Sequence, residues 1–365
     1  MNLQEQIDRA RQEIRADAYS MSIGEWISLY KEQELEIHPE FQRFFRWTSA
    51  QKTRLIESIL LGIPIPPIFV AQNPDGLWEV VDGLQRLSTI FEFAGLLRDE
   101  EGHVKPPLQL EGTKHLPALE GRVWEDEENP AQSFTASQRL QIKRAKLDVS
   151  IILRESGERA KFELFQRLNT GGSPLSDQEV RNCILVMINR DFFFDLRSLA
   201  DYKPFQESVA LTDRALSEQY DMELVTRYMV FRSIEQQALQ NLGDVGDFLT
   251  EQIADLAENR PQAPSEEEEK LKRVFDFING TMGANAFRRF DVARQKHVGG
   301  FLVSAFEVIA LGLAHHDVLP SPADFEEKVR SIWSHPVLQQ YSGAGTRAST
   351  RIPRLIPLGR ELFKP

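Results

Sequence analysis

The chain has 365 residues, one cysteine and a formal net charge of -12 at pH 7, so it is long enough for two domains with cores of their own. That charge excludes a protein that coats nucleic acid through bulk positive charge, and any such contact has to come from local basic patches. Cys183 alone excludes an internal disulfide and fits a reducing compartment, and the N-terminus is charged within a few residues, unlike a signal peptide. The longest apolar segment, 298–314, carries Glu307 and three glycines. It is short of the roughly 20 residues that cross a bilayer and predicts a buried helix. These features describe a soluble, cytoplasmic chain with no membrane partner.

In chain order, residues 1–20 are charged with sparse apolar positions and read as a leader helix. Ser22-Ile-Gly-Glu25 is a capping box that opens a helix with Trp26, Ile27 and Tyr30 inward, followed by a short strand at 35–37. His38 to Trp47 mixes Phe41, Phe44, Phe45 and Trp47 with Gln42, Arg43 and Arg46, a combination able to wall a pocket and point donors into it. Thr48-Ser-Ala-Gln51 opens a second helix, with Leu55, Ile56, Ile59 and Leu60 on one face and Gly62 at its end. Pro64, Pro66 and Pro67 then force extended backbone. Two strands flanking Asn73-Pro-Asp-Gly76 predict a hairpin. Residues 98–134 are poorly patterned and read as an insertion of short pieces. A third capping box at Thr135, an alternating strand at 147–153 and a helix at 158–168 follow.

That helix runs into Asn169-Thr-Gly-Gly172, a stop and loop able to approach a ligand closely, and Ser176-Asp-Gln-Glu179 is a fourth capping box. From Gln178 on, strand signals vanish and helical patterns run through 178–200, 211–236, 244–258, 266–280 and 297–314. The expected organisation is therefore a leader (1–20), an α+β domain (21–180) with a small mixed sheet, and an all-helical domain (181–365).

The chemistry concentrates in Glu79 to Phe93. An apolar strand breaks at Asp82-Gly83, and Leu87, Ile90, Phe91 and Ala94 continue at helical spacing. A glycine turn feeding a helix start leaves N–H groups for an anion. Arg86 offers a planar fork for phosphate oxygens, Gln85 a neutral donor and acceptor, and Asp82 a carboxylate for a metal ion or a water. The stretch reads as a nucleotide or nucleic-acid phosphate site. Three basic clusters are further candidates for DNA contacts: Arg139, Lys143, Arg144 and Lys146; Arg288, Arg289, Arg294 and Lys296; and Arg347, Arg351, Arg354 and Arg360. The third ranks first because small hydroxyl residues surround its arginines.

Four pieces occur together in order: Pro39-Glu-Phe-Gln-Arg43 with Trp47, Leu55 to Pro66, Val81-Asp-Gly-Leu-Gln-Arg-Leu87, and Phe165 to Ser176. In them the chain resembles the N-terminal domain family of the GmrSD-type, modification-dependent restriction endonucleases, whose fold is similar to ParB and sulfiredoxin. The resemblance covers roughly residues 20 to 185, and the helical remainder looks like the C-terminal part of stand-alone members. It implies a nucleotide-binding, NTP-hydrolysing component of a prokaryotic restriction and antiviral defence system that acts on or is regulated by DNA. A nucleoside triphosphate and Mg2+ are the implied cofactors. DNA, a separate nuclease subunit and further copies of the chain are the partners left open.

Carried onto this sequence, the family motif falls on Asp82, Gly83, Gln85 and Arg86. Asp82, Gln85 and Arg86 are the catalytic candidates, and Asp82 is the metal ligand. Gln42, Arg43, Trp47, Gly83, Arg86, Arg167 and Asn169 are the nucleotide-binding set, with Arg347, Arg351 and Arg354 for DNA. Leu84 stands where the family usually has glutamine, which separates phosphate binding from hydrolysis. The HNH nuclease pattern of full-length relatives is not found around the seven histidines. A metal-dependent DNA-nicking nuclease using the same Asp82, and a non-catalytic module that recruits a partner nuclease, are the alternative activities.

Overall fold

Asn73-Pro-Asp-Gly76 turns the chain back on itself. Gly76 N–H bonds to Asn73 O at 2.9 Å, Asp75 Oδ1 accepts from Leu77 N–H at 3.1 Å, and Gly76 takes a left-handed φ of 92°. The strands it joins, β3 (Ile68–Gln72) and β4 (Trp78–Asp82), pair antiparallel and lie within a five-stranded mixed sheet. The computed structural model describes residues 2–3, 16–37, 47–99, 101–153, 176–259, 265–343 and 345–364. It divides into two units, Met1–Pro174 and Leu175–Pro365.

In the first unit the sheet also holds β1 (Ala16–Ser22), β2 (Leu35–Glu36) and β5 (Lys146–Ile152), in the order β1-β5-β3-β4-β2. β5 runs parallel to β3 and antiparallel to β1, and β2 lies parallel to β4. β1 corrects the expected leader helix over 16–20. Its seven residues pair along β5 from Ala16↔Ile152 to Ser22↔Lys146, and a long-range partner of this kind is invisible to local pattern.

Helices pack on the sheet where capping boxes start them. α1 (Ile23–Lys31), α2 (Ser49–Leu61) and α4 (Ala136–Arg144) begin at Ser22, Thr48 and Thr135, each with both reciprocal cap bonds. α2 ends at Gly62 with φ 68°, a left-handed cap. α3 (Leu84–Phe93) buries Leu87, Ile90 and Phe91, and Phe91 stacks on Tyr30 at 4.3 Å. The irregular 98–134 stretch is fastened to α2, where Thr53 Oγ1 accepts from Glu111 N–H at 3.1 Å and Thr113 bonds Glu57. The helix and loop expected over 158–175 lie outside the described residues.

The second unit is helical, as expected. It comprises α5 (Asp177–Ile188), α6 (Arg190–Ala200), α7 (Lys203–Val209), α8 (Asp213–Ser217), α9 (Tyr220–Phe231), α10 (Gln236–Leu239), α11 (Val245–Asn259), α12 (Ser265–Thr281), α13 (Val303–Ala314), α14 (Pro322–Ser331), α15 (Pro336–Tyr341) and α16 (Ala348–Leu362). α5 starts at the Ser176 capping box. α13 is buried from Ser304 to Ala314 and crosses α16 at two glycines. A Cβ on Gly312 would lie 2.6 Å from Gly359 O, and one on Gly359 would lie 2.0 Å from Val308 O, so the helices touch backbone to backbone. One departure from the all-helical expectation is a short antiparallel ribbon, β6 (Arg289–Asp291) with β7 (Lys296–Val298). Cys183 is fully buried and its pKa is pushed up by burial, with Glu179 adding to the rise, so it is a core residue and not a nucleophile.

Candidate functional site

β4 delivers Asp82 to the start of α3 across an irregularity in the hairpin. Phe69 pairs with Asp82 while Val70 pairs with Val80, which leaves Val81 as an extra residue on β4. Gly83 then turns the chain with φ 99°. The torsion favours glycine, and a Cβ there would stand 2.4 Å from Ile68 Cδ1 and 3.3 Å from Arg86 Nη2, so the Ile68 side chain would have to shift. Gly83 has no side chain to cap α3, so its N-cap residue does not offset the partial positive charge of the first turn.

Arg86 does not point its fork outward. It is 9 % exposed. Its Nη1 donates to Pro66 O at 2.6 Å and Pro67 O at 3.1 Å, and its Nη2 donates to Asp82 Oδ2 at 2.6 Å. This corrects the expectation of a bidentate phosphate fork. The guanidinium clamps the proline-rich lead into β3 to the carboxylate at the end of β4. The i,i+4 spacing of Asp82 and Arg86 is the sequence signal for that pairing.

Asp82 is only partly enclosed, with 29 % of its side chain exposed, and Oδ1 has no hydrogen bond among the described residues. Its orientation is therefore fixed through one oxygen while the other stays open. Gln85 Oε1 accepts from Trp47 N–H at 3.2 Å, which brings the end of the aromatic–arginine segment to the same turn. Three of the four motif pieces thus meet at the start of α3: Trp47, the Pro66-Pro67 carbonyls, and Asp82 to Arg86. Gln42, Arg43, Arg167 and Asn169 lie outside the described residues. Among the described residues there is no group of three or more His, Cys, Asp or Glu able to hold a metal ion. Asp82 could contribute a single carboxylate ligand.

The DNA candidates divide. Arg347 and Arg354 are exposed. Arg351 is not available: its Nε and Nη2 donate to the two oxygens of Glu307 at 2.7 and 2.9 Å. Arg360 donates to Phe231 O at 3.0 Å and Arg232 O at 3.3 Å. Arg351 is therefore corrected from a DNA contact to a member of a buried ladder. In it Arg181 pairs with Glu223, Arg227 Nη2 reaches Glu223 at 2.8 Å, and Arg227 Nη1 lies 3.5 Å from Glu307. In the first cluster, Arg139 is held by Glu125 at 3.0 Å and Lys143 lies over the Trp124 ring at 5.9 Å. The sequence reading missed the ribbon beneath the second cluster, because two three-residue strands are too short for alternation to register.

Among the described residues no helix is long and apolar enough to cross a membrane. None of the curated proteins compared with the chain matches it. A solved structure of a Pnob8-like ParB-N domain is similar with a TM-score of 0.27 and 12% identity, over 90% of this chain and 96% of that one. Residues 23–186 match the family described as GmrSD restriction endonuclease, N-terminal domain, a span that takes in β2 to β5, the Asp82 corner and most of α5. Over those residues, which build this corner, the chain is similar to the GmrSD N-terminal domain family.

Proposed function

We propose that the chain is the nucleotide-handling component of a DNA restriction system, and that the Asp82 corner is where a nucleoside triphosphate is bound and hydrolysed. One observation carries the reading: a carboxylate fixed through one oxygen, with the other open, beside an uncapped helix start. The helix start takes phosphate oxygens. Asp82 orients the attacking water, and Arg86 is a positioning residue that holds Asp82 in place. Mg2+ is ordinarily bound by one or two carboxylates together with substrate phosphates, so the single open oxygen of Asp82 fits a metal that arrives with the nucleotide. When bound, the ion would neutralise charge developing on the phosphates.

The test is a thermal-shift screen of nucleoside triphosphates, with and without Mg2+, on the wild type and Asp82→Asn. A ligand that binds only the folded state raises the melting temperature. Asparagine keeps an acceptor for Arg86, so the variant is expected to melt near the wild type while losing the Mg2+-dependent shift and phosphate release. An undiminished shift in Asp82→Asn removes the proposal. The engagement of Arg86 by protein groups, with Leu84 at the family's glutamine position, favours a second reading, a non-catalytic nucleotide-binding module. Binding without phosphate release under any nucleotide establishes it. Plasmid nicking that needs a metal ion and disappears in Asp82→Asn would instead identify a nuclease.

A further inference from the structure

Three basic clusters were legible in the sequence, and the structure leaves one of them both exposed and built on a single firm element. β6 and β7 form a two-stranded ribbon whose register is Arg289↔Val298, Phe290↔His297 and Asp291↔Lys296. Alternation puts Phe290 and His297 on one face and Arg289, Asp291, Lys296 and Val298 on the other. The first face is the anchor. Phe290 is buried, the His297 ring lies 5.0 Å from it, and the Arg330 guanidinium lies over it at 5.8 Å.

The other face and the turn are open to solvent. Arg289, Arg294 and Lys296 are exposed, and Val292 at the tip is 54% exposed, an apolar side chain turned to water. The turn itself is ordered by its own bonds. Arg294 N–H donates to Asp291 Oδ1 at 3.0 Å, Gln295 Nε2 donates to Val292 O at 2.8 Å, and Gln295 takes a φ of 52°. A tip that is already shaped loses less freedom on binding. The single acid of the open face, Asp291, is held by that backbone bond, and its ion pair with the 70% exposed Arg294 side chain spans 3.6 Å, a pair that yields readily to a stronger anion.

We infer that this ribbon is an arm by which the helical unit holds duplex DNA, seated in a groove with Arg289, Arg294 and Lys296 on phosphates and Val292 against the groove wall. The inference rests on the reading of the chain as part of a DNA restriction system and adds the surface that engages the DNA. The major groove of B-form DNA, about 12 Å wide, admits a two-stranded ribbon. On a chain of net charge -12, a narrow exposed element with three cations is also the arrangement that lets positive charge approach phosphates ahead of the acidic bulk.

The experiment is fluorescence anisotropy of the full chain with a short B-form duplex across a salt series. The triple variant Arg289→Ala/Arg294→Ala/Lys296→Ala is expected to bind about tenfold or more weakly at low salt. It should also flatten the log–log salt dependence by about 2 to 3, near 0.9 for each phosphate that is no longer neutralised. Val292→Glu, an exposed change, is expected to weaken binding while leaving the melting temperature in place. Arg214→Ala, which removes an 86% exposed cation outside all three clusters, should leave the slope as it is. Wild-type binding with an unchanged triple variant overturns the ribbon and leaves the DNA reading standing; no binding by the wild type at low salt overturns both. Equal affinity for an A-form RNA duplex, whose major groove is too narrow for a ribbon, or for polyglutamate, overturns the groove assignment in favour of bulk charge.

Discussion

Two arginine–carboxylate constructions, one in each unit, use the same chemistry for different ends. In the N-terminal unit Arg86 holds Asp82 through one oxygen, and the other has no hydrogen bond among the described residues. In the C-terminal unit Arg181, Glu223, Arg227, Glu307 and Arg351 run across α5, α9, α13 and α16, and Glu307 is wholly buried with both oxygens engaged. The lesson is that pairing does not distinguish a site from a strut. What distinguishes them is whether a lone pair remains facing solvent after the protein's own bonds are made.

The largest expected effect breaks the strut. Glu307→Ala leaves Arg351 and Arg227 charged and short of a partner in a buried setting, which costs about 3–5 kcal/mol and should unfold the helical unit well before the wild type in a denaturant titration. Replacing Arg86 and Asp82 together by apolar residues should instead cost stability modestly and remove nucleotide binding, if the two constructions differ as stated. Gly83→Ala strains the corner itself. A left-handed φ of 99° and a Cβ 2.4 Å from Ile68 Cδ1 put its cost at about 1–3 kcal/mol, read from the denaturation midpoint. Thr48→Ala, which removes the cap of α2 but touches neither construction, should cost about 1 kcal/mol and leave nucleotide binding in place.

A smaller effect is set by pH. Burial raises the pKa of Asp221 above its ordinary 3.8, against the lowering by the Met222 N–H and Arg197. The folded state thus holds this proton more tightly than the unfolded chain does. Stability from this group is full below the ordinary value and is lost as pH rises through the raised one. Asp221→Asn should accordingly melt higher than the wild type above that window and show no gain below it, measured by calorimetry at both ends.

Much of the framework was written locally. The capping boxes at Ser22, Thr48, Thr135 and Ser176 each start the helix they announce, and the Asn73–Gly76 turn makes its hairpin. These signals work because both partners lie within four residues, so no distant part of the chain can overrule them. β1 and the β6–β7 ribbon were hidden for the opposite reason: their hydrogen-bond partners, or the core that anchors them, lie elsewhere in the chain. At the site, residue types and spacing located the corner at Asp82-Gly83. The direction of Arg86 depended on the carbonyls of Pro66 and Pro67, nearly twenty residues upstream, which the sequence placed nowhere in particular.

Torsional preference and near-neighbour bonding fix where the chain turns, where the four capping-box helices begin, and that acid, glycine and arginine meet at one strand-to-helix corner. Which cations are used up inside and which are left facing water follows from packing between distant segments. A guanidinium's role is set by the acceptors packed around it, and those come from segments far apart in the chain.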